Sequence, residues 1–195
     1  EELIHELKEA EFTVGQHPVY QGKEVKYRGF YFKDVVSLLA KKLKIKNKVN
    51  YIYSIGCEDN FSSLITNQDL NSGTAFLAWR EVYNKSHRVQ TVDGLWTLID
   101  KHGSPAPFYL VWDNPQTTYW AKWPNKIASI SFVDDQILKK FDSLATSGNS
   151  TKARGYRLVV QNCTSCHSIS NVGFASMGPD LAMVTTYKTD QGFIE

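Results

Sequence analysis

Cys163-Thr164-Ser165-Cys166-His167 places two thiols and an imidazole at a spacing that chemistry can use. C-x-x-C-H is the attachment pattern for c-type haem. Two thiols three positions apart reach the two vinyl-derived carbons on one porphyrin edge, and the imidazole that follows swings beneath the iron. The same residues admit other chemistry. A C-x-x-C pair can be a redox dithiol, and with Cys57 the set Cys163, Cys166 and His167 has the composition of a Cys₃His zinc centre. Against zinc, Cys57 lies far upstream with no second cysteine beside it. Against a thioredoxin-like dithiol, the residues before Cys163 read as a helix where that fold would place a strand. Haem attachment is the favoured reading, with zinc and a dithiol left open by the motif alone.

The flanks of the motif add to it. Gly155-Tyr156 puts a small residue beside an aromatic in the leading helix, and Met177-Gly178-Pro179-Asp180-Leu181 follows downstream with a G-P-x-L element. In these features residues 149–195 resemble the class I cytochrome c family. The resemblance implies one covalently bound haem c on Cys163 and Cys166, with His167 as proximal iron ligand. It further implies that the Pro179 carbonyl accepts a hydrogen bond from the non-ligating nitrogen of His167, fixing its tautomer, and that Leu181 packs on the porphyrin. One departure stands out. The family places a distal methionine and a closing helix well beyond G-P-x-L, whereas fourteen residues follow Leu181. Met177 and Met183 are the two methionines of the chain and sit close to the proximal element, so each is expected to pack rather than ligate. The module is therefore expected to be incomplete at its C-terminus, with a distal ligand that the sequence does not identify.

The elements that must carry this motif come in two textures. Residues 1–134 are rich in Tyr, Phe, Trp and Val in short blocks broken by Gly, Pro, Asn and Asp, which suits a mixed domain of many short strands. Strands are expected at 11–14, 24–27, 49–55, 73–79, 108–112 and 127–133, with Pro18 and Gly22 marking turns between the first two. A helix is expected over 32–43, where Val35, Val36, Leu38, Leu39 and Leu43 share one face, and helical turns at 62–68 and 95–101. Residues 134–144 suit a short amphipathic helix, and the small, polar 145–150 suits a boundary. The division is then an α+β domain at 1–134, a linker at 135–148, and a small all-α module at 149–195 entered by a helix over 151–161.

Two stretches of the first domain carry a further likeness. Tyr20-Gln21-Gly22-Lys23-Glu24-Val25-Lys26-Tyr27-Arg28-Gly29-Phe30 leads into an apolar helix, and Glu58-Asp59-Asn60-Phe61-Ser62-Ser63-Leu64-Ile65 is followed by Asp69-Leu70 and the strand at 74–79. With Pro107-Phe108-Tyr109-Leu110-Val111-Trp112, this looks like the molybdopterin-binding oxidoreductase domain of sulfite oxidase relatives, including its strand, Gly turn and helix. Those enzymes hold molybdenum with a thiolate placed before the Gly turn. This chain has no cysteine before Cys57, and His17, His87 and His102 are scattered, so no molybdopterin is expected. Cys57 is expected to be a buried, inert thiol, Glu58 and Asp59 a turn, and Trp79, Trp96, Trp112, Trp120 and Trp123 core fillers.

Charge and hydropathy narrow the functional classes. Twenty-two basic residues against twenty acidic ones give no argument for nucleic acid. Lys41, Lys42, Lys44, Lys46 and Lys48 form a local run that reads as a solvated helix end. No apolar run approaches the roughly 18 residues that span a bilayer, and the first residues lack a secretory signal, so the chain reads as a mature form whose export signal lay upstream. The expectation is a periplasmic or otherwise exported monohaem cytochrome passing single electrons between redox partner proteins, rather than an enzyme with its own substrate. Two alternatives are a molybdenum oxidoreductase that reduces its own haem and a structural subunit of a larger respiratory complex.

Overall fold

A computed structural model describes residues 4–15, 17–18, 24–45, 51–82, 95–96, 103–113, 122–136 and 151–183. Among them the chain is mixed α+β and mostly sheet. A short 3-10 turn at Ile4–Glu6 precedes β1 (Ala10–Val14), β2 (Val25–Tyr31), α1 (Phe32–Lys42), β3 (Tyr51–Cys57), β4 (Ser62–Ile65), α2 (Asn67–Ser72), β5 (Ala75–Glu81), β6 (Tyr109–Trp112), β7 (Ile127–Asp134) and α3 (Thr151–Cys163).

The strands form two antiparallel sheets, β1-β2-β5-β6 and β4-β3-β7. Alternation survives in β1 and in the first half of β2, where Glu11 faces solvent and bridges Lys26 and Arg28 at 2.8 Å each. In β3, β5 and β6 it disappears. Ile52, Tyr53, Ser54 and Ile55 are all buried, as are 75–78 and 109–112, because these strands are covered on both faces. α1 seats Phe32, Val35, Val36 and Ala40 on the core, at the helical spacing of one face. Lys41 and Lys42 complement its C-terminal dipole, and Lys42 also pairs with Glu6. Leu43, counted on the apolar face, is exposed.

Two sequence expectations need correction. Residues 62–66 are not helical: Ser62 to Ile65 pair with β3, and of the expected stretch Asn67 and Gln68 alone belong to the helix, which begins after Thr66. The Thr66 hydroxyl accepts from Asp69 N–H while the Asp69 carboxylate accepts from Thr66 N–H, a capping box that fixes the start. Lys122 reaches the same carboxylate at 2.8 Å. Gly29 is not a turn residue either. It lies inside β2 at a register shift against β5, and β2 passes into α1 without a loop. Residues 97–101, most of 134–144 and the boundary at 145–150 lie outside the described residues, as do Gly22, Lys46, Lys48, His87, His102 and Trp120.

The core is aromatic. Trp96, Trp112 and Trp123 are buried with Tyr27, Tyr109, Phe32 and Phe76, and Trp112 Nε1–H donates to the Lys122 carbonyl at 2.7 Å. Trp79 is partly exposed, donating to Glu9 beneath the Arg80 guanidinium. His17 is fully buried among Trp123, Tyr109 and Tyr27, with ring centroids 5.1, 5.7 and 5.9 Å away. Burial pushes its imidazole down from 6.5 to about 3. The ring is neutral in the fold but takes up a proton in the unfolded chain below about 6.5, so stability is complete above that pH and is lost as pH falls towards 3. We expect the unfolding free energy from urea titration to fall between pH 7 and pH 5, with a slope that approaches about 1.4 kcal/mol per pH unit well below 6.5. His17→Phe should flatten that slope, and equal slopes in the two proteins would assign the pH dependence elsewhere.

Candidate functional site

α3 ends on Cys163, and the chain then folds back on itself. Cys166 N–H and His167 N–H both donate to the Cys163 carbonyl, at 3.1 and 2.9 Å, and the Thr164 hydroxyl donates to the Val160 carbonyl. Cys163 and Cys166 are free thiols, each partly exposed. The pair is thus carried on the C-terminal end of a helix, where the dipole disfavours negative charge. Burial, the Asp59 carboxylate and the neighbouring Cys163 push the Cys166 thiol above its ordinary value. A redox dithiol needs the reverse, a thiolate favoured by a helix N-terminus or a neighbouring cation.

The imidazole of His167 is held on two sides. Its Nδ1 lies 2.7 Å from the Pro179 carbonyl oxygen. A carbonyl oxygen only accepts, so Nδ1 carries the proton and Nε2 carries the lone pair in the neutral ring. Gly178 lies directly against the ring: a Cβ there would stand 2.2 Å from Cε1, 2.5 Å from Nδ1 and 2.8 Å from Nε2. Gly178 N–H donates to the Cys166 carbonyl at 2.9 Å, and Leu181 N–H donates to Ser168 at the same distance. The 177–181 segment is therefore tied to the motif loop by backbone bonds and leads into a helical turn that begins at Leu181.

Asp180 organises the intervening loop. Its carboxylate accepts from the Ser168 hydroxyl at 2.7 Å and from Asn171, Ser170 and Ala182 N–H at 2.6, 2.9 and 2.9 Å. Those bonds, the Ser168 hydroxyl foremost, pull the carboxyl down from 3.8 to about 2. Ser170 and Asn171 both adopt positive φ there, and the short Ile169–Val172 bridge closes the turn. The structural work of Gly178 and Asp180 went unread in the sequence, although both sit inside the quoted G-P-x-L element. A glycine before the proline and a short carboxylate after it were the available signals.

Other site residues are placed as follows. Leu181 is half-buried, and Met177 and Met183 are 50% and 57% exposed, so neither methionine packs in a core. Gly155 of α3 has nothing within 4 Å of where a Cβ would be among the described residues, so no close helix crossing there requires a glycine. Among the described residues, four of the six exposed large apolar side chains, Leu158, Phe174, Met177 and Met183, belong to residues 151–183. This part of the chain thus presents an apolar surface that its own described residues leave uncovered.

Cys57 was read as remote from the motif, yet the turn that follows it meets the motif loop: Ser62 N–H donates to the Ser165 carbonyl at 3.0 Å. Even so, among the described residues no three His, Cys, Asp or Glu side chains converge at ligating distance. The Cys57 thiol is buried and pushed up to about 12, by burial first and by Asp59 and Glu58 next. Glu58 and Asp59 form a turn, with Asp59 Oδ1 accepting from Phe61 N–H. Two cavities among the described residues are lined mainly by apolar side chains such as Phe30, Leu39, Leu77, Phe108 and Trp96. No family model matches the chain, and no curated protein matches it.

Proposed function

We propose that this chain is an exported monohaem c-type cytochrome that carries single electrons between redox partner proteins, with its α+β part serving as a docking and supporting body. The observation that carries the reading is the seating of His167: an imidazole against a glycine, its Nδ1–H engaged by a backbone carbonyl, and Nε2 left as the donor atom at the end of a C-x-x-C helix. That donor set suits haem iron. When bound, the haem supplies a one-electron Fe(III)/Fe(II) couple.

The protein's own residues hold it. Each thiol of Cys163 and Cys166 adds across one vinyl group, sulfur to one carbon and hydrogen to the other, so the product gains the whole mass of a haem and releases nothing. Gly178 and Pro179 keep the imidazole in place, and Leu158, Phe174 and Leu181 offer apolar surface for a porphyrin face.

Expression with export and haem-attachment machinery tests the reading. The chain should show a Soret band and a mass increase of one haem that survives denaturation. Cys163→Ala or Cys166→Ala should leave a single thioether, and the double variant should lose all covalently held haem. A colourless protein whose two motif thiols both remain open to alkylation overturns the proposal.

A further inference from the structure

The turn between β3 and β4 is built as a rigid knuckle. Cys57 N–H donates to the Phe61 carbonyl at 2.9 Å, Asn60 N–H to the Cys57 carbonyl at 3.1 Å, and Glu58 N–H to Lys126 at 2.9 Å. Asn60 takes positive φ at the corner, a conformation asparagine tolerates. The Ser54 and Ser62 hydroxyls meet at 3.2 Å behind it.

This knuckle is gripped by both arms of the attachment loop. Ser62 N–H donates to Ser165, inside C-x-x-C-H, and Ser176 N–H, just before the G-P-x-L element, donates to Asn60 at 3.3 Å. In the ladder Ser62 lies opposite Gly56, and its N–H turns outward to the motif. Burial agrees with a closed contact at the inner bond, where Ser62 and Ser165 are 5% and 7% exposed and the nearby Ala175 6%, while Ser176 and Asn60 make the outer bond at the exposed rim. Backbone groups so enclosed need partners, and each segment supplies them to the other.

We infer that the β3–β4 turn of the first domain is one wall of the attachment site, and that Asp59 on it sets the charge beside whatever is bonded to Cys166. The second half rests on the haem reading above. Asp59 is held on this turn by the bond that its Oδ1 accepts from Phe61 N–H at 3.2 Å, between Asn60, which accepts from Ser176, and Ser62, which donates to Ser165 next to Cys166, so a group carried on that sulfur shares the neighbourhood of its carboxylate. A fixed negative charge favours the more positive, oxidised iron, so Asp59 lowers the potential of the one-electron couple.

Two measurements on the full chain test this. In the holoprotein, Asp59→Asn keeps an oxygen to accept from Phe61 N–H but removes the charge. The midpoint potential should rise, rise further in Asp59→Lys, and both shifts should shrink with added salt. Asp34→Asn, in α1, should leave the potential where it was. In the haem-free chain, residue-resolved hydrogen exchange should show the Ser62 and Ser176 amides slowed at least about tenfold relative to an unstructured peptide. An unchanged potential in Asp59→Asn and Asp59→Lys with normal haem content overturns the role of Asp59. Fast exchange at both amides overturns the wall. Failure to incorporate haem removes the functional reading alone, and the exchange result still decides the contact.

Discussion

Gly178→Ala is expected to unseat His167. The added methyl would lie 2.2 Å from Cε1 and 2.5 Å from Nδ1, where ordinary carbon contacts need about 3.5 Å or more. The ring must therefore move by more than an ångström. It cannot do so and keep its 2.7 Å bond to Pro179, nor can Gly178 retreat without breaking its own bond to Cys166. Losing the bond to Pro179 alone costs about 1 kcal/mol, and the donor nitrogen is no longer aimed. In the holoprotein both thioethers should still form, since neither cysteine is touched, but the absorption spectrum should shift towards weakened imidazole ligation. Exogenous imidazole or carbon monoxide should then bind at least about tenfold more tightly, which corresponds to about 1.4 kcal/mol. Pro179→Ala keeps the carbonyl and should change these readouts far less. In the haem-free protein, nitrogen NMR of His167 should show a fixed Nδ1–H tautomer in the parent and averaging in Gly178→Ala. Identical spectra and affinities for parent and variant would mean that the glycine seat is irrelevant to the imidazole.

The contrast between these parts shows what a linear sequence displays. The spacing within C-x-x-C-H is local, so a helix end carrying two thiols and an imidazole was readable directly, and β1, α1, β3, β5, β6, β7 and α3 announced themselves by composition and period. The expected strands at 49–55 and 73–79 both stop two residues short of the observed ends at Cys57 and Glu81, because apolar blocks mark burial while the hydrogen-bonded ladder runs on through residues such as Arg80 and Glu81. The helix at 67–72 was displaced because Ser62 and Ser63 have no strong preference. Thr66 and Asp69, the capping pair that decides its start, stood three apart and went unread. The grip of the attachment loop on the β3–β4 turn was out of reach for a different reason. It runs through backbone N–H and carbonyl groups of serine and asparagine far apart in the chain, and backbone bonds leave no trace in side-chain patterning. Gly29 was legible as a glycine that mattered, but its reason lay in another strand.

That reason makes Gly29→Ala the most disruptive single change expected in the first domain. A Cβ at Gly29 would stand 2.1 Å from the Leu77 carbonyl oxygen, 2.8 Å from the Ala78 Cα and 2.9 Å from the Leu77 carbon. All three are backbone atoms, so no rotamer change relieves the clash. β5 cannot withdraw, because it is held on its far side by β6, with Leu77 opposite Leu110 and Ala78 opposite Tyr109. Both Leu77 and Ala78 are buried in the core. Relief requires β2 to part from β5 at the bulge, giving up ladder hydrogen bonds worth about 1 kcal/mol each and adding strain of about 1–3 kcal/mol from overpacking. The sum, on the order of 3–5 kcal/mol, is a large part of what stabilises a typical domain. Urea unfolding followed by tryptophan fluorescence should show a midpoint shifted far down, or no folded baseline. Gly15→Ala is the matched control. Among the described residues a Cβ at Gly15 meets nothing within 4 Å, and the stability of this variant should stay within about 0.5 kcal/mol of the parent. Because the β3–β4 turn grips the attachment loop through Ser165 and Asn60, a first domain opened at Gly29 should also lose the amide protection of Ser62 and Ser176. Gly29→Ala unfolding at the parental midpoint would mean that β2 and β5 do not approach as closely as 2.1 Å implies, and the packing of the whole four-stranded sheet would need revision.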